Sequence, residues 1–283
     1  MRQRSKSARP VDRRDFVKLA GAAALAAPTT RVAFAQPART LIKGGVVLSL
    51  DRDVGDFETA DVLIENGKIV AVRPNISADA AVIDGANTIV LPGFIDTHHH
   101  FYQGQLRNVL PNGLLADYFR DISGAATNLY RPEDAYIGNL IGAVRSIDAG
   151  ITTITDLSQV SNTPEHSDAL IKGLKDSGIR AIYAYSRGSG AGARYPGDAE
   201  RIRAQHFASA DQLVTMALGT AINKDQWLLA RRLGLRIFTH VVGGNPGVGP
   251  DELMKQLAVD DSKIYLATPF TPISLLVTET CAA

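Results

Sequence analysis

The chain has one cysteine, Cys281, among 283 residues, so no internal disulfide framework can hold it together. It carries almost no net charge, +1 at neutral pH. That balance hides an asymmetry. The first 35 residues hold eight Lys/Arg against two Asp/Glu, which leaves 22 basic and 27 acidic residues, net −5, in the remainder. A mildly acidic body gives no electrostatic reason to expect nucleic acid as a partner. Membrane-spanning length is missing too: the apolar stretch at residues 19–27 is about half of the ~20 residues a bilayer requires, too short for a stable anchor. What remains is ordinary for a folded chain, with 45% hydrophobic and 21% charged residues, enough for a sizeable core.

The first 35 residues read as an address. Arg2, Arg4, Lys6, Arg9, Arg13 and Arg14 form a basic region, within which Arg13-Arg14-Asp15-Phe16-Val17-Lys18 matches the twin-arginine pattern. The apolar stretch comes next, and Ala33-Phe34-Ala35 supplies an A-x-A cleavage site. This order of features marks a signal peptide. Residues 1–35 are therefore expected to direct twin-arginine (Tat) export to the periplasm, a route for proteins that fold, often around a cofactor, before they cross the membrane.

Residues 36–88 read as a small β-unit. Asn66-Gly67 lies between Val62-Leu63-Ile64 and Ile69-Val70-Ala71-Val72, a strong hairpin signal. From residue 89 the pattern alternates between short continuous apolar runs and helical stretches. Strands are expected at residues 89–95, 151–155, 179–185, 213–218, 235–239 and 263–266, with helices at 132–149, 164–177, 224–233 and 250–258. Continuous apolar runs suit a parallel sheet covered on both faces. Gly150, Gly178 and Gly234 stand where three of these helices should end. Repeating βα units point to a TIM-type barrel or a doubly wound sheet. Only six barrel-type strands are found, so a barrel would be open over residues 89–266, with 267–283 set apart as an atypical tail.

One segment carries chemistry. Leu91-Pro92-Gly93-Phe94-Ile95-Asp96-Thr97-His98-His99-His100 falls at a strand's end. Side chains alternate along an extended chain, so His98 and His100 should share a face while His99 points away. Two imidazoles on one face suit Zn²⁺ or Fe²⁺, and the C-terminal end of a strand is the catalytic face of a TIM barrel.

This segment resembles the signature of the amidohydrolase superfamily, in particular its cytosine deaminase and chlorohydrolase-like branch. The resemblance extends over residues 41–266 and includes Gly150-Ile151-Thr152-Thr153-Ile154-Thr155-Asp156 and Thr239-His240. It implies an α/β fold: a TIM-type (β/α)8 barrel, incomplete here, with a small β-sandwich-like unit at the N-terminus. It further implies one divalent metal ion, hydrolysis of a small-molecule substrate, and a tendency to form homo-oligomers. His98 and His100 match the paired ligands of the first strand, and His240 matches a third ligand at the fifth. The fourth strand contains no lysine that could bridge two ions, which favours a single one. Asp156 could touch substrate or bond a loop, and Arg187 and Arg194 could contact an anion. His166 and His206 have little motif around them and are expected to be solvated or locally bonded.

The pattern also departs from the family. The resemblance implies a histidine after strand six as the base and an aspartate after strand eight, yet no histidine occurs beyond His240. The expected reading is a truncated, metal-dependent hydrolase of non-peptide carbon–nitrogen bonds in a cyclic or linear amide, with tail residues 267–283 arising from out-of-frame coding and an open, poorly soluble barrel. Deaminases of this branch commonly have His-x-x-Glu at strand five, whereas this chain reads His240-Val241-Val242-Gly243. Two alternatives stand beside that reading: a deaminase of a nitrogen heterocycle, and a non-catalytic pseudoenzyme or binding module. The run Gly243-Gly244-Asn245-Pro246-Gly247-Val248-Gly249-Pro250 lacks the Gly-Lys-Ser/Thr ending of a P-loop and reads as a loop.

Overall fold

Asn66 and Gly67 both adopt positive φ, 49° and 75°. That is the pair of left-handed residues a two-residue turn needs to match the twist of its strands. They join strands β2 (Phe57–Glu65) and β3 (Lys68–Arg73). In this computed structural model, residues 39–220, 223–242 and 273–278 are described. The expected signal peptide at 1–35, helix at 250–258, strand at 263–266 and Gly/Pro loop at 243–250 lie outside them.

The chain divides into two compact units at Pro92/Gly93. The first is one mixed sheet in the order β3-β2-β1-β4, where β1 is Arg39–Val47 and β4 is Ala81–Asp84. A short strand, β5 (Ile89–Val90), runs parallel to β1. Apolar residues line both faces: Leu41, Leu63 and Ile76 form one cluster, and Val47, Ala60 and Val62 another. Along β2 the period of two separates Leu63 from Ala60 and Val62; along β1 the register shifts between Ile42 and Val47 let Leu41 and Val47, six residues apart, fall in different clusters. Buried Asp61 accepts the backbone N–H groups of Gly44 and Ile76, both at 2.8 Å, and so ties the irregular middle of β1 to the segment after β3.

The strand expected at 89–95 is in fact two. Pro92 has no N–H to give a ladder, and the chain changes sheets there: β5 pairs with β1, while β6 (Phe94–His99) pairs with β7 (Ile151–Ser158). The boundary expected between residues 88 and 89 therefore moves to Pro92/Gly93.

The second unit is a six-stranded parallel sheet, β6 to β11 in chain order. It continues through β8 (Arg180–Tyr185), β9 (Val214–Thr220), β10 (Arg236–Val242) and β11 (Ile273–Thr278). Helices α1 (Pro132–Asp148), α2 (Pro164–Ser177), α3 (Ala199–His206) and α4 (Lys224–Arg232) lie between strands. Gly150, Gly178 and Gly234 hold φ of 82°, 77° and 65° just beyond three of these helices, the left-handed exit that stops a helix at least cost. One face of the sheet packs on the helices: Ile154, Tyr183, Tyr185, Met216, Leu218 and Ile237 join helical Leu170, Leu174, Ile202 and Trp227. The other face gathers Leu157, Ala184, Ala217 and Phe238. This is an α/β fold with an incomplete TIM-type barrel. Among the described residues the sheet does not close, and Phe94 and Ile95 on edge strand β6 are 60% and 68% exposed.

The next strand among the described residues is β11, Ile273–Thr278, which pairs parallel with β10 and lies inside the segment set apart as an atypical tail. Ile-Ser-Leu-Leu-Val-Thr is an apolar, β-branched run well suited to a pleated surface.

Candidate metal centre

The histidine run leaves β6 and is anchored by the two aromatic residues on its C-terminal side. Phe101 and Tyr102 open a 3-10 turn, Phe101–Leu106, and are 0% and 1% exposed. They lodge against α1 where that helix carries glycine. A Cβ on Gly142 would lie 2.5 Å from the Phe101 ring, and one on Gly138 would lie 3.1 Å from the Tyr102 backbone. Two glycines one helical turn apart thus let the turn approach the helix axis, and Tyr130 Oη donates to Tyr102 O at 2.6 Å. The residue immediately before this wedge is His100.

The imidazoles of His98 and His100 are 4.9 Å apart between centroids, with planes at 90°. His100 Nδ1 lies 2.7 Å from Leu157 O. A carbonyl can only accept, so Nδ1 carries the proton and Nε2 keeps its lone pair. Burial lowers the pKa of both rings; the neighbouring imidazoles lower His98 further against the pull of Asp96, and the Leu157 carbonyl opposes the shift at His100. Neutral imidazole with one nitrogen tied to a carbonyl is the form in which histidine ligates a metal, so this pair fits a divalent ion. His99 turns elsewhere, its Nδ1 3.0 Å from Asp96 Oδ2, while Asp96 Oδ1 accepts the His98 N–H at 3.0 Å.

His240 lies within β10, opposite Leu276 of β11. The strand runs two residues beyond it instead of ending before it. Three strands, β7, β8 and β9, separate it from β6, and its side chain is not among those described. Among the described residues no group of three His, Cys, Asp or Glu side chains converges as a metal cage.

Asp156 is fully buried. It accepts Phe101 N–H at 3.0 Å, Asn139 Nδ2 at 2.9 Å and Ser158 Oγ at 2.6 Å. Burial raises its pKa, and these three donors pull the other way. The side chain bonds a turn and a helix, in line with the second of the two roles open to it in the sequence. Arg187 is exposed just after β8, and Arg194 is exposed further along the same loop. His166 is buried in the first turn of α2, with Nε2–H donating to Tyr130 O at 2.8 Å and Nδ1 accepting from Thr163 Oγ1 at 2.9 Å. His206 ends α3 and meets Asp168 at 2.8 Å, beside the Arg201–Asp168 ion pair.

Several polar residues in the loops of this unit escape a reading of the sequence. Gln103 donates to Tyr118 Oη at 2.7 Å and to Tyr102 Oη at 3.0 Å, and Tyr102 Oη donates to Gln159 at 3.2 Å. Asn162 spans two loops, donating to Thr127 O and accepting from Ser189 N–H. Their one sequence signal is position, in loops beyond the C-terminal ends of strands.

Comparison with known proteins agrees with this architecture. The profile of the amidohydrolase family matches residues 89–249. A 5′-deoxyadenosine deaminase of Methanosarcina acetivorans is 31% identical over 146 residues, which are 51% of this chain and 32% of that protein. The chain thus matches about a third of the length of this relative. Among solved structures, a triazine hydrolase from Arthrobacter aurescens superposes with a TM-score of 0.66 at 23% identity, over 78% of this chain and 57% of its own. An atrazine chlorohydrolase from Arthrobacter aurescens TC1, complexed with zinc, superposes with a TM-score of 0.61 at 26% identity, over 71% and 52%. With more than half of its residues matched by the family profile, this chain belongs to the amidohydrolase family.

Proposed function

We propose that this chain carries the metal-binding strands of a hydrolase of carbon–nitrogen bonds, with His98, His100 and His240 as ligands of one divalent ion, Zn²⁺ or Fe²⁺. The supporting observation is the His98–His100 pair, edge to face at 4.9 Å, with the His100 tautomer set by the Leu157 carbonyl. The ion supplies Lewis-acid activation of water. The chain's own residues hold the imidazoles neutral, orient them through Leu157 O and bury the turn behind them. Strand β9 contains no lysine, which supports a single ion. Arg187, exposed after β8, is available to an anionic substituent.

The names of the similar proteins favour a nitrogen heterocycle over a simple amide as substrate, since one is a deoxyadenosine deaminase and two act on triazines. His240-Val241-Val242-Gly243 lacks a carboxylate, so a proton donor for the leaving group must come from another position. We further propose that residues 1–35 direct twin-arginine export to the periplasm. A reporter fused after Ala35 should reach the periplasm only when Arg13 and Arg14 are intact, and export of an Arg13→Lys/Arg14→Lys fusion would refute that route.

Metal content of the purified full chain tests the central reading. About one zinc or iron per chain is expected, lost in His98→Ala and in His100→Ala. Retention of full metal by both variants would overturn the assignment. Ammonia release from amino-purines and amino-triazines, compared with hydrolysis of simple amides, then separates the two substrate classes. Bound metal without turnover on either class would favour a binding role.

A further inference from the structure

We propose that Asp156 is a positioning residue for His100, a reading that rests on His98 and His100 as the metal pair. On strand β7, two consecutive residues grip the histidine run from different sides. The Asp156 carboxylate takes the N–H of Phe101 at 3.0 Å, and the Leu157 carbonyl takes the ring N–H of His100 at 2.7 Å. The first bond fixes the peptide that leaves His100, and the second fixes the plane and tautomer of its ring. Together they restrain both the backbone and the ring of His100.

The choice of residue supports a role beyond fold. A carboxylate at 0% exposure is a costly way to satisfy one backbone N–H, because burying its charge is unfavourable unless several partners compensate. Here they do: Asn139 Nδ2 and Ser158 Oγ hold the far oxygen at 2.9 and 2.6 Å, and Asn139 is itself anchored to Leu170 O at 3.2 Å. Asn139 stands on α1 and Leu170 on α2, so the carboxylate is aligned by two helices and transmits their position to the histidine. Partners of this kind, one step removed from a metal, change affinity by roughly ten- to a hundredfold when lost.

The test compares the full wild-type chain with Asp156→Asn in two measurements. The first uses metal-free protein: hydrogen exchange of the Phe101 amide, and the His100 tautomer from nitrogen chemical shifts. The second is the zinc Kd by competition with a chromophoric chelator. In Asp156→Asn the Phe101 amide should exchange at least about tenfold faster. His100 should lose its single Nδ1–H tautomer, and zinc should bind about ten- to a hundredfold more weakly. A folded Asp156→Asn protein with the wild-type tautomer and a Kd within about threefold of wild type would overturn the proposal. If Asp156→Asn does not fold, an ester in place of the Phe101 amide deletes only that N–H. The same tautomer and affinity changes are expected there, and their absence overturns the proposal equally. If wild type takes up no zinc while the metal-free changes occur, the metal reading fails and the positioning of His100 stands.

Discussion

Replacing Gly142 by alanine sets two effects against each other. In an ordinary helix interior, alanine is better than glycine by about 1 kcal/mol. Here the new Cβ would lie 2.5 Å from Phe101 Cδ1, 2.9 Å from Cγ and 3.1 Å from Cβ. Phe101 is fully buried, so its ring has no open space to enter, and overpacking of this kind costs roughly 1–3 kcal/mol. The net expectation is a loss of up to about 2 kcal/mol, despite the gain in helix propensity. Trp227 is the sole tryptophan and is 2% exposed on α4, so its fluorescence in a urea titration reports unfolding of the second unit. Phe101→Leu should lose stability alone, but the double variant should be less unstable than the sum, with a coupling of about 1 kcal/mol. Because His100 precedes Phe101, Gly142→Ala should also weaken zinc binding. A Gly142→Ala protein with a raised urea midpoint and unchanged zinc affinity would refute the wedge.

Two other perturbations test the same unit. His166→Ala leaves the Tyr130 carbonyl and the Thr163 hydroxyl without their ring partner. It should destabilise the second unit by about 2 kcal/mol without changing metal content; a parallel loss of metal would reassign His166 to the centre. The Arg131 guanidinium and then the Arg131 backbone N–H hold the Asp134 carboxyl down at about 2, below its ordinary range. Stability from a depressed carboxyl is fully present above about pH 4 and is lost as pH falls toward about 2. Urea midpoints at pH 5 and pH 2.5 should therefore differ less in Asp134→Asn than in wild type, and an equal difference would remove this pair from the acid response.

Particular residues explain what is legible in the sequence. The Asn66-Gly67 hairpin and the three glycine helix exits are local, because positive φ is demanded within a few residues of the signal. Helix α2 is legible at its observed bounds, with Thr163-Pro164 at one end and Gly178 at the other. Helix α3 is not, since Ala199 and Ile202 alone are buried along it, too sparse a stripe for a periodic signal. The single apolar run at 89–95 conceals a change of sheet, because pairing partners are chosen by distant strands and not by the run itself.

The sequence by itself determined the parallel βα architecture, the D-x-H-x-H segment at a strand's end and the family, because each rests on residue type at short spacing. Only the tertiary structure decided what surrounds the histidines. Asp156 is 55 residues from Phe101, and Leu157 is 57 from His100; parallel strands bring them together through a crossover that no local pattern encodes. The tertiary structure likewise turned Gly138 and Gly142 from unremarked helix residues into the seat of the turn behind His100. Close approach depends on what lies across the interface, and sequence spacing alone does not specify it.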